Sequence, residues 1–360
     1  MSALVYDAAQ RAILMNVAEH SLTSPLYIQL PSFPSSDGQP ASIPGFLQGK
    51  PLARINYRWN PFDMTGVPST EGLWPTPVHD VGFAYSWLVE NLAPEGIKRR
   101  DIYVYGSHLG ASLASSLALT ETRPHEPFAV RGFVSYNGIY NWTMFFPDHP
   151  ANRPGKRVKR TSAYHRPPEG TYMHYLQQRL PAFFQSPADM FDVFASPSLF
   201  FHNPGLKVPS SYHLSEDESA AIEAITNPDA EAVVPTKTPR KSHLVYPPRK
   251  STLKIPETLL LYDTFPAPPP EKTTGVRRRK IPWGNSLELQ AHELAEMMQR
   301  SVEKVELKER GKWDEDMGVW EDEPTRRIKL REAGEESRSL EMGEKGEEFV
   351  EEWLAERIPL

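Results

Sequence analysis

Residues 101–121 read DIYVYGSHLGASLASSLALTE, and the fold turns on them. DIYVY is a nearly continuous apolar run, as expected of a strand covered on both faces of a parallel sheet. ASLASSLALTE (111–121) predicts a helix of small residues, able to pack closely on that sheet. Between them Gly106 and Gly110 flank a tight turn, with His108 at its centre and Ser107 one place earlier. Small residues are needed on both sides because such a turn brings backbones together.

The same alternation extends outward. PLYIQL (25–30) and ARINYRW (53–59) read as strands, and TPVHDVGFAYSWLVENL (76–92) as a helix with Val81, Ala84, Tyr85, Leu88 and Leu92 at helical spacing. VRGFVSYNGIY (130–140) reads as the next strand. Strand–helix alternation at these lengths predicts an α/β fold, a doubly wound and mostly parallel sheet. The rhythm breaks from about 145 to 215, where TYMHYLQQRLPAFF and ADMFDVFASPSLFF predict short amphipathic helices rich in aromatics, arranged as a cap. TLLLYDTF (258–265) then reads as a buried strand, SLELQAHELAEMMQRSV (286–302) as a helix and KVELKER (304–310) as the last strand. A charged loop (311–345) leads to a closing helix, EEFVEEWLAERI, with Phe349, Val350, Trp353 and Leu354 on one stripe. The expected organisation is a first part of the core (1–144), a cap insertion (145–215), a flexible, basic, proline-rich linker (216–257) and a second part of the core (258–360) with a flexible loop at about 266–282.

Composition bounds the function. The 360 residues are 39% hydrophobic and 24% charged, with 36 prolines and 21 glycines, so long loops surround a substantial core. A net charge of −6 gives no overall pull toward nucleic acid or anionic membrane. The absence of cysteine excludes disulfides, cysteine nucleophiles and thiolate metal sites. The first twenty residues lack the layout of a signal peptide, and no apolar run approaches the ~20 residues of a bilayer span, so a cytoplasmic location is expected. On that expectation the sequon at Asn141 stays unmodified.

Two segments carry a resemblance. In INYRWN…GLWPTPVHDVGFAYSWL (55–88), Tyr57, Arg58, Pro75, Asp80, Trp87 and Leu88 match, in order, a pattern of strand, Pro-x-x-x-x-Asp and helix. The other segment is VYGSHLGASLASSLALTE. Together they resemble the α/β-hydrolase superfamily, and within it the hormone-sensitive-lipase-like esterases (the α/β hydrolase fold-3 type). The resemblance covers most of the chain except 145–250. It implies an α/β-hydrolase sheet with an inserted helical cap, and carboxylic-ester hydrolysis by a serine, a histidine and a carboxylate, with backbone donors for the oxyanion.

Each of those parts departs from the family pattern. Gly-x-Ser-x-Gly has become Gly106-Ser107-His108-Leu109-Gly110, so the nucleophile position holds His108. Using Ser107 instead would put Tyr105 and Leu109 where glycines belong. The family's base lies after the last strand as Gly-x-x-His; here Gly311 is followed three residues on by Asp314, and His292 is the last histidine of the chain. The acid position maps to Asn285, by the family's Asp-Pro-Leu, or to Asp263 in LLLYDTF. An amide cannot stabilise an imidazolium as a carboxylate does. In place of the oxyanion segment stands LPSFPSSDG (30–38), where two prolines lack N–H donors and only Gly38 remains.

Other motifs read as ordinary structure. His79-Asp80 and Asp148-His149 are sequence neighbours that rarely face each other, and His292-Glu293 lacks the second histidine of a zinc helix. No metal or cofactor is expected. The basic runs Arg153–Arg160 and Arg277–Lys280 and the prolines of PAPPPEK read as solvated loop. The leading expectation is a catalytically impaired esterase-like scaffold, with a small apolar or ester ligand as its possible occupant. The alternatives are an active hydrolase pairing Ser107 with a cap histidine (His149, His165 or His174), and an interaction protein acting through the basic, proline-rich insertions.

Overall fold

The computed structural model describes residues 12–34, 42–59, 72–146, 149–152, 167–203, 208–209, 236–237, 245–265, 284–308, 322–337 and 340–358. Their main sheet has seven strands: β1 (Ala12–Met15), β2 (Leu26–Leu30), β3 (Leu52–Ile55), β4 (Arg100–Ser107), β5 (Phe128–Tyr136), β6 (Glu257–Thr264) and β7 (Ile328–Glu335). The spatial order is β1-β3-β2-β4-β5-β6-β7. Every neighbouring pair is parallel except β1 with β3. The helices are α1 (Thr76–Leu92), α2 (Leu109–Glu121), α3 (Tyr172–Phe183), α4 (Leu287–Ser301), α5 (Glu323–Arg327) and α6 (Glu344–Ala355). This is a doubly wound, mostly parallel sheet of α/β-hydrolase type.

Alternate residues of each strand feed two cores. Ile28, Ile102, Val104 and Leu260 pack with Val81, Leu88, Leu113, Leu117 and Leu294 of α1, α2 and α4. Tyr27, Tyr103, Tyr105 and Leu259 pack on the other face with Phe46, Val350 and Trp353. Covering both faces is why the central strands read as unbroken apolar runs.

The esterase-like pattern around residue 57 proves to be a clamp. Arg58 forks onto Asp80, with Nη2–Oδ1 at 2.9 Å and Nε–Oδ2 at 3.0 Å, and its backbone N–H donates to the same carboxylate at 2.9 Å. The Tyr57 hydroxyl donates to the Pro31 carbonyl at 2.7 Å. These bonds hold the start of α1 and the segment after β2 against the sheet.

Between β5 and β6, α3 forms as expected, started by the Thr171 side chain. The second expected helix does not form: ADMFDVFASPSLFF is two 3₁₀ turns, Pro187–Phe191 and Pro197–Phe200. Pro197 has no N–H to donate and disfavours helical geometry at Ser196, so one helix cannot run through. Trp59, Trp142, Phe183 and Phe184 pack tilted and edge-on into a buried cluster with ring centroids 5.1–6.5 Å apart.

The C-terminal reading needs correction. KVELKER is not the last strand; Val302–Leu307 continues α4 as a π-helical turn. The last strand is β7, inside the stretch read as a charged loop. Glu306 explains the first error. It is buried because its Oε1 accepts the Ile255 N–H at 2.8 Å and its Oε2 accepts Arg327 Nη1 at 2.6 Å. β7 is an edge strand whose exposed charges, Arg331, Glu332 and Glu335, obscure its apolar rhythm. The opposite edge strand, β1, lies in the segment read only for its lack of a leader. Asp148, His165, Gly38, Asp314, both basic runs, the loop 266–282 and most of 216–244 lie outside the described residues.

Candidate active site at the strand tips

His108 stands at the tip of β4 with φ 53° and ψ −114°, a backbone conformation costly for any residue with a side chain. Close packing enforces it. A Cβ on Gly106 would lie 2.4 Å from the Gly110 carbonyl oxygen, and one on Gly110 would lie 2.4 Å from the carbonyl oxygens of Leu30 and Pro31. The strand–turn–helix geometry of a nucleophile elbow is therefore intact.

Its central side chain is sealed. His108 is 3% exposed, and its ring meets Tyr172 and Tyr136 edge-on at centroid distances of 4.8 and 5.5 Å. Phe33 in turn packs edge-on against Tyr172 and Tyr175, at 6.1 and 6.4 Å. Among the described residues, Nδ1 of His108 has no hydrogen-bond partner. Burial lowers the pKa of the imidazole to about 3, so the ring is neutral at physiological pH.

A backbone donor beside the elbow is engaged as well. In this fold the residue after the nucleophile supplies one backbone N–H. Here that N–H, of Leu109, donates to the Ser32 carbonyl at 3.3 Å. Ser32 belongs to the very segment that should supply the second donor, and its neighbour Pro31 has no N–H.

Of the two acid candidates, Asp263 sits at the strand tips. Its Oδ2 accepts the Tyr136 hydroxyl at 2.6 Å and Asn137 Nδ2 at 2.8 Å, while its own N–H donates to Asn137 Oδ1 at 2.8 Å. Tyr136 thus touches both, its hydroxyl on the Asp263 carboxylate and its ring edge-on to His108. Asn285 lies before α4 and accepts Gln290 Nε2 at 2.8 Å. Gln290 also binds the N–H groups of Tyr140 and Asn141, so Asn285 belongs to a buried amide network.

Asp314, the expected base position, lies outside the described residues, and the stretch expected as the strand before it is helical over Val302–Leu307. The loop after the true last strand begins at Glu336. Its Oε1 accepts the N–H of Tyr172, the first residue of α3, and its Oε2 is buried with no hydrogen bond among the described residues. Burial raises the Glu336 pKa; the Tyr172 N–H opposes the shift and the charge of Asp263 adds to it. Ser107 is buried. His149 Nδ1 accepts the Ala151 N–H at 3.2 Å, and His174 Nε2 lies 3.3 Å from Gln178. Glu293 is paired with His202 at 3.1 Å and with Asn141. Among the described residues no cluster of three metal-ligating side chains occurs and no helix is long and apolar enough to cross a membrane.

Glu336, Tyr172, Tyr136 and Asn137 were not legible as site residues. Only Asn137 carried a signal, the Asn-Gly pair of SYNGIY, and it takes the positive φ of 51° that such pairs favour.

No family model matches the chain, and no curated protein does. Similar solved structures include carboxyl esterase 2 of the mycorrhizal fungus Tuber melanosporum, 13% identical, with 92% of this chain and 75% of that one covered at a TM-score of 0.44. A hyperthermophilic esterase from the archaeon Pyrobaculum calidifontis is 12% identical, with 98% and 86% covered at 0.44. An arylesterase is 11% identical, with 98% and 88% covered at 0.45. At this depth of likeness the fold rests on the sheet and elbow themselves.

Proposed function

We propose that this protein is a non-catalytic relative of carboxylic-ester hydrolases, a scaffold that keeps the elbow and has lost acyl transfer. The observation that carries this reading is the state of His108: neutral, covered by Tyr172 and centred on an elbow whose Leu109 N–H is already bonded to Ser32. Acyl transfer needs an activated nucleophile, a base within hydrogen-bond reach and free donors for the developing oxyanion. A carboxylate, Glu336, follows the last strand where the base belongs, and it holds α3 rather than a reacting group.

The test is a panel of p-nitrophenyl esters of graded chain length, run beside a fluorophosphonate probe with site mapping by mass spectrometry. No turnover above the buffer rate and no adduct are expected. Labelling of Ser107 or His108 that disappears in Ser107→Ala or His108→Ala, with matching loss of turnover, would replace this reading with that of a working hydrolase.

A further inference from the structure

A groove of about 540 Å³ runs between α1 and α2, on the face of the sheet remote from α6. That is the size of a site for a small organic molecule. Val78, Val89, Leu113, Leu117 and Phe194 give it apolar walls. Two of its hydroxyls are engaged, Ser116 donating to the carbonyls of Ser112 and Phe194 and Thr120 to that of Ser116, while Ser86 lines the groove exposed. The charged groups set the sign of a ligand.

Those groups have one sign at one end. α1 and α2 each return between parallel strands, so their C-termini lie together, and each C-terminus carries a partial negative charge. Glu90 and Glu121 stand at that end and line the groove. Neither helix has a basic residue in its last turn, and among the described residues no lysine or arginine lines the groove. Arg123 makes a long ion pair with Glu121 at 3.9 Å, from outside the groove lining. His79 lines the opposite end, beside Phe83.

Gly82 is an independent sign that the space is open. It lies mid-helix in α1, where glycine weakens a helix relative to alanine, yet a Cβ there would meet nothing within 4 Å. Packing does not require the glycine, and the room beside it is part of the groove.

We propose that the α1–α2 groove binds a small apolar amine, with its ammonium group between Glu90 and Glu121 and its hydrocarbon part laid past Gly82 toward Phe194. Calorimetric titration of the full chain at pH 7 with 4-phenylbutylamine and with 4-phenylbutyrate tests both halves of the claim, because the two probes share a tail and differ in charge. The amine is expected to bind about tenfold tighter or better, and Glu121→Lys to reverse the preference. Gly82→Phe should abolish binding by filling the groove, while Gly82→Ala keeps it and raises Tm. Equal affinity for the two probes, no binding of the amine at millimolar concentration, or an unchanged preference in Glu121→Lys would each overturn the proposal. So would binding of an oligolysine peptide without binding of the amine. Glu121→Lys decides the question even where Gly82→Phe fails to fold.

Discussion

His108 sets the residue-scale energetics, because its buried ring resists protonation. An ordinary histidine titrates near 6.5, whereas this one stays neutral in the folded chain down to about 3. Between those values the unfolded chain binds a proton that the folded chain does not, so folding stability falls as pH falls, by up to about 1.4 kcal/mol per unit. Urea unfolding at pH 7 and pH 4.5 should therefore show a loss in the wild type that exceeds the loss in His108→Asn by roughly 2–3 kcal/mol. Equal losses in the two proteins would mean that the ring is hydrated. Sequence identified His108 as the centre of the turn, since the two glycines flank it symmetrically and Ser107 at the centre would put Tyr105 and Leu109 where glycines belong. It gave no notice of Tyr172, which arrives from 64 positions along the chain to cover the ring.

At the scale of elements, the π-turn at Val302–Leu307 depends on a buried ionic network. Arg327 is held by Glu306 and by Glu323 from α5, with Nη1–Oε2 and Nη2–Oε1 both at 2.6 Å. Removing one partner leaves a buried charge without compensation. Glu306→Ala should cost about 3–5 kcal/mol in urea unfolding. A loss below about 1 kcal/mol would show that the network does not hold the turn to β6 and β7. The helices and strands of 76–136 were legible because burial on a regular surface imposes a period, the helix Thr76–Leu92 to the residue and the strand read at 130–140 running four residues past its end at Tyr136. The C-terminal strand was not, because period-two spacing in KVELKER mimics a strand while β7 displays its charges at an edge.

For the whole molecule, catalysis is a property of parts brought together from distant segments. Restoring one part should not restore the rest: His108→Ser is expected to give a folded protein with no esterase activity, since no histidine follows β7 and the Leu109 N–H stays bound to Ser32. Measurable turnover by His108→Ser on short-chain esters would show that the remaining machinery survives. By itself the sequence determined the doubly wound sheet, the glycine turn and the missing histidine, because apolar periodicity and residue identity are local properties that no packing can alter. Only the tertiary structure decided that Glu336 clasps α3, that Asp263 answers to Tyr136 and Asn137, and that aromatic rings close over the elbow. Those contacts join positions far apart along the chain, and local propensity carries no record of which distant side chains will share a buried space.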